Sequence, residues 1–301
     1  MHSISTIILT YNEEKHIERC IKNAQRFSEA VFIVDSFSSD RTVEIAISLG
    51  AQVYQNKWEN NHAKQFNWGL LNLPIQTQWV FRLDADEYLT DALVDEINEK
   101  LPSLGSHISG IVFERKMYFL DKLMTKGMIK MNILRLFRYK QAICENRWMD
   151  EHIVLTEGES IMFDGYFVDY NLNPLGWWID KHNNYATREA IELLNIQYPL
   201  ITREAEQSIS HMMSADAQSK RDKKEKYANM PLFWRSFIYF VYRYFFKLGF
   251  TQGKEGFLWH FLQGWWYRTL VDAKVYEVKK ACGENTEKMK QFIGENYQIR
   301  L

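Results

Sequence analysis

The sequence predicts an α/β protein with a mostly parallel sheet, followed by a region that is largely helical. Short apolar runs alternate with amphipathic helical patterns through the first hundred residues, which is the order expected of βαβ units. Polar and acidic residues follow several of these runs, where strands should end. From Trp177 onward the pattern becomes helical and rich in aromatic side chains.

The elements of the first hundred residues can be predicted in order. The predicted strands are the apolar runs at residues 5–9, 31–34, 51–54 and 79–83. Four helices are predicted. The first begins at residues 11–14 and the second at residues 38–40, while the third spans residues 62–73 and the fourth residues 90–101. Asn12 is the expected N-cap of the first helix and Gly50 the expected end of the second.

The pattern changes after residue 109. Strand-like pieces follow without clear intervening helices, at residues 111–113, 132–137 and 153–155. We therefore predict two regions, an α/β domain over residues 1–165 and a mainly helical region over residues 166–301.

Composition restricts the classes of protein to consider. A chain of 301 residues with 46% hydrophobic residues can form a sizeable core, and a net charge of −1 gives no indication of a nucleic-acid partner. The three cysteines have neither metal-ligand spacing nor the even count of a disulfide scaffold, which fits a reducing compartment. Charged and polar residues at 12–14 interrupt any apolar leader, so we expect a cytoplasmic protein.

An acidic cluster follows the apolar run at residues 79–81. Asp84, Asp86 and Glu87 lie where that strand should end, and ligands of open α/β sheets bind outside the carboxyl ends of the strands. Two carboxylates one residue apart suit a hard divalent cation that also holds a diphosphate. The alternative is that these acidic residues only form a turn and cap the next helix.

Three motifs at predicted strand ends resemble those of the family 2 glycosyltransferases, which have the GT-A fold. They are Ile8-Leu9-Thr10-Tyr11-Asn12-Glu13, Val34-Asp35-Ser36-Phe37-Ser38-Ser39-Asp40-Arg41-Thr42 and Leu83-Asp84-Ala85-Asp86-Glu87. The resemblance is strong over the first hundred residues and weaker to about residue 155. Phe37 departs from it, because the family usually has glycine near this turn.

The resemblance implies an inverting, metal-dependent transfer of a sugar from a nucleotide-sugar donor. Asp35 would read the base edge, while the nucleoside would be lined by Thr10, Tyr11 and Glu13. Asp84 would hold the ribose side, and Asp86 would ligate Mg²⁺ or Mn²⁺ between the two phosphates, where the cation stabilises the departing diphosphate.

Two basic residues complete the implied donor site. Lys64, in Asn61-His62-Ala63-Lys64-Gln65-Phe66-Asn67, resembles a family residue that faces the nucleotide, although a solvated lysine is the alternative. Arg135 resembles a family arginine that faces phosphate or the acceptor, and a structural salt bridge is an equal alternative.

An inverting transfer also needs a base that takes the proton of the acceptor hydroxyl. Trp148-Met149-Asp150-Glu151-His152 is the acidic cluster at a suitable distance downstream. In an extended segment Asp150 and Glu151 point to opposite sides, so we expect only one of them to be the base. The resemblance favours Asp150 slightly, and a surface acidic turn is the alternative.

The C-terminal region suggests a lipid-associated acceptor. Residues 177–190 and 248–257 resemble, more loosely, C-terminal regions of bacterial glycosyltransferases that build lipopolysaccharide cores and other surface glycans, which implies a lipid-linked saccharide acceptor. Independently, a basic run at residues 220–226 precedes an aromatic stretch at 232–250, a combination that favours the cytoplasmic face of an anionic membrane.

The basic side chains inside the aromatic stretch are expected to reach lipid head groups; they are Arg235, Arg243 and Lys247. Alternatively, the aromatic residues pack against the catalytic domain or against a second subunit of a homo-oligomer.

Two other functions are alternatives to glycosyl transfer. A nucleotidyltransferase would usually carry a glycine-rich basic loop after the first strand, where this chain has Thr10-Tyr11-Asn12-Glu13. A catalytically silent protein that binds glycans or membrane surfaces would not need Asp84, Asp86 and the acidic pair at 150–151.

Overall fold

The computed structural model of the protein describes residues 4–145, 151–200, 227 and 229–299. The chain divides into two compact units. The first unit comprises Met1–Leu123 and Ile129–Asn173, and the second comprises Met124–Met128 and Pro174–Leu301.

The first unit begins with alternating strands and helices, as predicted. Its parallel strands are β1 (Ile4–Thr10), β2 (Ala30–Asp35), β3 (Gln52–Gln55) and β4 (Trp79–Asp84). Its helices are α1 (Ile17–Ala24), α2 (Thr42–Ser48), α3 (His62–Asn72) and α4 (Asp91–Lys100). The sequence patterns therefore placed each of these eight elements within a few residues of its position, except for the start of the first helix.

The rest of the first unit extends the sheet. The additional strands are β5 (Glu87–Leu89), β6 (Ile108–Phe119), β7 (Lys122–Met124), β8 (Met131–Arg138), β9 (Ala142–Cys144), β10 (Ile153–Leu155) and β11 (Glu159–Asp169). The strand order is β3-β2-β1-β4-β8-β6-β11-β5, with β7 paired to β6, while β9 and β10 form a separate ribbon. β8 is antiparallel to both β4 and β6, so the sheet is mixed but mostly parallel, which confirms the predicted fold class.

The central strands are buried on both faces, which is why their sequences are continuous apolar runs. In β1, Ile4 and Ile8 pack into one core cluster, while Ile7 packs into a second cluster on the opposite face. In the parallel register Thr10 lies opposite Asp35, and Leu9 lies opposite Asp84. The carboxyl ends of β1, β2 and β4 therefore meet at one edge of the sheet.

The first helix begins later than the sequence predicts. α1 starts at Ile17 and its N-cap position is His16, so the prediction of Asn12 as N-cap is wrong. Asn12 instead has a φ of 56°, and its amide oxygen accepts hydrogen bonds from the backbone N–H (2.8 Å) and hydroxyl (3.3 Å) of Ser39. An asparagine that can cap a helix thus holds together the loops that follow β1 and β2.

The second unit is helical, as predicted. Its helices are α5 (Leu175–Gln197), α6 (Trp234–Val241), α7 (Gly253–Trp259), α8 (Tyr267–Cys282) and α9 (Thr286–Tyr297). The chain forms π-helical turns at Tyr242–Phe246 and His260–Trp266. None of the helices in the described ranges has the length and apolar content that crossing a bilayer requires.

Two arginines expected at lipid head groups are buried instead. Arg235 is 2% exposed, and its guanidinium donates to Asp272 Oδ1 at 2.5 and 2.7 Å. Arg243 is also buried and donates to the carbonyl of Gly127 at 2.7 Å. The expectation that these two side chains reach head groups is therefore wrong, because tertiary partners take up their donors.

The buried Arg235–Asp272 pair should be a major stabilising contact of the second unit. We expect Asp272→Asn to lower the free energy of unfolding by about 3–5 kcal/mol, because it leaves a buried guanidinium without a counter-charge. Denaturant titration followed by circular dichroism measures this change. Asp91→Asn is the matched control, since the Arg26–Asp91 pair is solvent-exposed and its loss should cost less than about 1 kcal/mol. Equal effects of the two substitutions would contradict the assignment.

Candidate active site

Asp35 organises the ends of the first two strands. Its carboxylate is fully buried and accepts hydrogen bonds from the Thr10 hydroxyl at 2.9 Å, the Ser38 amide at 2.9 Å and the Ser38 hydroxyl at 2.5 Å. Thr10 and Asp35, both expected from the sequence to bind the nucleotide, are thus in direct contact. Because the same carboxylate binds Ser38, it also fixes the loop that follows β2.

Two residues close in the chain to Thr10 and Asp35 carry exposed aromatic side chains. Tyr11 follows Thr10 and is 61% exposed, while Phe37 lies two residues after Asp35 and is 56% exposed. Phe37 has a φ of 61°, in the left-handed region that glycine occupies without strain. Phe37 therefore replaces the family's usual glycine at a position where the backbone favours glycine. Its aromatic ring lies in the loop that follows β2.

Glu13 is held through a histidine. The Nε2 atom of buried His16 accepts a hydrogen bond from the Leu172 amide at 2.9 Å, so in a neutral ring Nδ1 carries the proton and donates to Glu13 Oε2 at 2.6 Å. The Glu13 amide in turn donates to the Thr42 hydroxyl at 2.7 Å. These bonds connect the first motif with the start of α2 and with the chain segment that follows β11.

Lys64 lies on the surface in the first turn of α3. Asn61 caps this helix by accepting from the Lys64 amide, and the Lys64 ammonium is 2.9 Å from Glu59 Oε2. Both side chains of this ion pair are more than half exposed, so it is easily exchanged for another partner. The predicted contact with a nucleotide remains a prediction.

Arg135 joins the acidic motif to the middle of the sheet. From β8 its buried guanidinium donates to Asp84 Oδ2 at 3.0 Å and to Glu87 Oε1 at 2.7 Å. Although burial opposes ionisation, Arg135 and Arg82 hold the pKa of Asp84 well below its usual range. The salt-bridge alternative for Arg135 is therefore observed, and it keeps Asp84 charged.

Glu87, which the sequence left without a role, is a positioning residue. It is almost fully buried, and its Oε2 accepts from the backbone N–H of Asp84 at 3.0 Å. Burial raises the pKa of Glu87 to about 8, while the guanidinium of Arg135 opposes this shift. The signal in the sequence was a third acidic residue beside the Asp-x-Asp pair, but only the fold shows that it points inward.

Asp86 is held by groups that the sequence did not indicate. Its carboxylate Oδ2 accepts from the Asn171 amide at 2.9 Å, and its backbone carbonyl accepts from Arg19 at 3.1 Å and from the Tyr170 amide at 2.9 Å. Arg19 lies on α1 and Asn171 follows β11, so both are distant from Asp86 in the sequence. No local pattern could have identified either contact.

The acidic cluster at residues 150–151 is tied to the same region. Arg82, on β4, donates to Glu151 Oε1 at 3.2 Å, and its Nε lies 3.7 Å from Asp84 Oδ1. Glu151 is therefore brought close to Asp84, and its carboxylate is engaged in an ion pair. Asp150 lies outside the described residues.

The side chains at this edge suit a hard divalent cation. Asp86 supplies a carboxylate, the kind of ligand that Mg²⁺ and Mn²⁺ prefer, and the Asn171 amide holds its Oδ2 atom. Within the part of the chain that the structure describes, no three histidine, cysteine or acidic side chains cluster as a complete metal cage. A cation held here would thus depend on substrate oxygens and water for its other ligands.

The family model described as Glycosyl transferase family 2 matches residues 5–167, more than half of the chain. The chain belongs to this family. The match covers β1 to β11 almost completely and includes the three motifs quoted above. The resemblance inferred from the sequence is thereby confirmed.

Other members with similar sequences match over shorter lengths. A Rickettsia typhi protein named as an uncharacterized glycosyltransferase is 38% identical over 97 residues, which is 32% of this chain and 32% of the relative. A 4,4'-diaponeurosporenoate glycosyltransferase from Staphylococcus haemolyticus is 43% identical over 61 residues, covering 20% of this chain and 16% of the relative. The matched segments thus span at most about a third of these relatives.

Among solved structures, the chain is similar to glucosyl-3-phosphoglycerate synthase from Mycobacterium tuberculosis, in a complex with Mn²⁺, UDP and glucosyl-3-phosphoglycerate. The identity is 20%, the TM-score is 0.32, and the match covers 39% of this chain and 44% of the other.

The left-handed backbone of Phe37 gives a prediction about stability. We expect Phe37→Gly to raise the free energy of unfolding by about 1 kcal/mol, because glycine adopts this φ without steric strain. Thermal or denaturant unfolding measures the change. Gly50→Ala is the reverse control: Gly50 has a φ of 79°, and no atom lies within 4 Å of the position that an alanine Cβ would occupy, so this substitution should destabilise through the backbone alone. Destabilisation by Phe37→Gly would contradict the strain.

Proposed function

We propose that this protein transfers a sugar, with inversion, from a nucleotide-sugar donor to a lipid-linked saccharide acceptor, and that it needs Mg²⁺ or Mn²⁺. The observation that supports this most is the clustering at one sheet edge. Asp84 and the adjoining Asp86 lie beside the Thr10–Asp35 pair, and Glu151 is tied to the same strand end through Arg82. The groups proposed for the donor thus lie in one region with Glu151, the residue that adjoins the proposed base.

The donor side is assigned to the ends of β1, β2 and β4. In this proposal the nucleoside lies over the buried Asp35 and Thr10, flanked by the exposed ring of Tyr11 and by Glu13. Lys64 would exchange its exposed partner Glu59 for a phosphate. Asp84 would face the ribose as a carboxylate, which Arg135 keeps ionised.

Asp86 is proposed as the protein's metal ligand. A cation held there would stabilise the negative charge that develops on the departing nucleoside diphosphate. Asn171 and Glu87 prepare the site without the cation: Asn171 orients the Asp86 carboxylate, and Glu87 fixes the backbone of Asp84. Both contacts are made by buried or half-buried groups, so the acidic motif is held in place before a substrate binds.

Asp150 is proposed as the base. Glu151 already shares a hydrogen-bonded ion pair with Arg82, so in this proposal its role is to anchor the segment. Asp150 would accept the proton of the acceptor hydroxyl while that oxygen forms its bond to the anomeric carbon, opposite to the departing diphosphate.

The acceptor and location follow from the resemblance of the C-terminal segments. We propose a role in lipopolysaccharide or other surface-polysaccharide synthesis at the cytoplasmic face of the membrane. Residues 1–165 would form the catalytic domain, and residues 166–301 would serve as a membrane-interface or oligomerisation element.

The metal role of Asp86 can be tested by ligand-dependent melting. We expect Mn²⁺ and UDP together to raise the melting temperature more than either alone, since a ligand at a hundred times its Kd adds about 2.7 kcal/mol of stability. Asp86→Ala should remove this joint effect, whereas Asp95→Ala, at an exposed position on α4, should retain it. An undiminished joint effect in Asp86→Ala would refute the metal role. A parallel screen of nucleotide sugars for metal-dependent hydrolysis identifies the donor.

The two candidate bases can be separated by kinetics. We expect Asp150→Asn to lower kcat by about 10²–10⁴-fold while the UDP-dependent rise in melting temperature is retained, because general-base catalysis contributes in this range. Glu151→Gln should have a smaller effect on kcat and a larger one on stability, since it removes one of the two carboxylate charges beside the buried Arg82. The opposite ranking of the two kcat values would assign the base to Glu151.

A further inference from the structure

The helical segment from Trp234 to Phe246 has its polarity reversed relative to an ordinary surface helix. Its exposed side chains are large and apolar, recurring at three- and four-residue intervals: Trp234, Phe237, Ile238, Tyr242, Phe245 and Phe246. Its buried side chains are Arg235, Ser236, Phe240 and Arg243, so three of these four are polar or charged. A helix at a water-exposed surface normally places these two classes the other way round.

The inward polar residues are satisfied within the second unit. Arg235 pairs with Asp272, the Ser236 hydroxyl lies 3.0 Å from the Thr269 hydroxyl, and Arg243 donates to the Gly127 carbonyl. These contacts fix the rotation of the segment about its axis. The apolar face is thus held outward by specific hydrogen bonds and is not an accident of a loosely packed helix.

The outward face is continuous and extensive. Phe237, Ile238, Val241, Tyr242 and Phe246 line one shallow apolar recess, and Trp234 and Phe246 are 65% and 75% exposed. Isolated exposed apolar residues are ordinary, but a contiguous patch of this kind marks an interaction surface.

The charges around this face indicate which partner it fits. Between Glu225 and Glu255 the sequence contains no acidic residue, and the exposed Lys247 and Lys254 lie in this interval. A twofold contact between two copies of the chain would bring the same residues of both copies to one interface. This interval would contribute lysines from each copy and no carboxylate, so like charges would meet there. Anionic lipid head groups supply the missing negative charge.

We infer that this apolar face, defined by Trp234, Phe237, Ile238, Tyr242, Phe245 and Phe246, inserts into the surface of an anionic bilayer. The aromatic rings would lie at the boundary between head groups and acyl chains, with Lys247 at the level of the head groups. The inference deepens the proposed function by naming the surface through which the protein reaches a lipid-linked acceptor. The identity of that acceptor rests on the proposed function, whereas the insertion of this face does not.

Flotation of the full chain with vesicles tests this inference. We expect the wild type to float with vesicles of phosphatidylcholine and phosphatidylglycerol, and to float less with phosphatidylcholine alone. The double substitution Trp234→Ser/Phe246→Ser should lower the partition coefficient by at least about tenfold, because it removes two inserted rings. Ile47→Ser/Leu71→Ser is the matched control, since it removes two apolar side chains that are as exposed but lie on α2 and α3, and it should float like the wild type.

The outcomes separate the occupants of the face. Equal flotation of the two double variants, or no flotation of the wild type, would overturn the inference. A wild type that does not float but sediments as a dimer, which the Trp234→Ser/Phe246→Ser variant converts to a monomer, would assign the face to a second copy.

Neither measurement needs a donor or a metal. The joint Mn²⁺ and UDP melting effect, measured on the same variants, therefore reports on the proposed function separately. Unchanged circular dichroism spectra confirm that the exposed substitutions leave the fold intact.

Discussion

The candidate site depends on one buried cation, the guanidinium of Arg135. It contacts Asp84 and Glu87 at once, and so it joins β8 to the acidic motif at the end of β4. The buried Glu87 and the partly exposed Asp84 repel each other when both are ionised, and the arginine between them offsets this repulsion and the loss of hydration at Glu87. Burial raises the pKa of Glu87, while Arg135 and Arg82 lower the pKa of Asp84. Asp84 therefore stays charged at the end of β4, the strand next to β1.

A second constraint is the set of hydrogen bonds between loops. Asp35 binds Thr10 and Ser38, Asn12 binds Ser39, and His16 joins Glu13 to Leu172. Loop tips are usually the most mobile parts of a fold, because few buried contacts hold them. Here the buried Asp35 and His16 and the exposed Asn12 join three loops by hydrogen bonds, so tertiary contacts position the groups proposed to bind a nucleotide.

The second unit follows a different principle. In the segment from Trp234 to Phe246, most of the buried side chains are polar and the exposed ones are large and apolar. Exposing apolar rings to water is unfavourable, whereas the same rings are stable at a lipid boundary. The aromatic richness of this stretch was evident in the sequence, and it favoured a membrane surface. The orientation of its arginines was not, because a sequence shows which residues are cationic but not which of them have carboxylate or carbonyl partners.

The sequence by itself determined the family, the parallel strands and the motifs at their ends, because period-2 and apolar-run patterns are local and the motifs are contiguous. It also predicted Asp84 and Asp86 as a pair, because only one residue separates them in the chain. Only the tertiary structure decided the roles of Glu87, Arg19 and Asn171, the pairing of Arg82 with Glu151, and the later start of α1. Each of these depends on contacts between residues far apart in the chain, whose energies no local pattern contains.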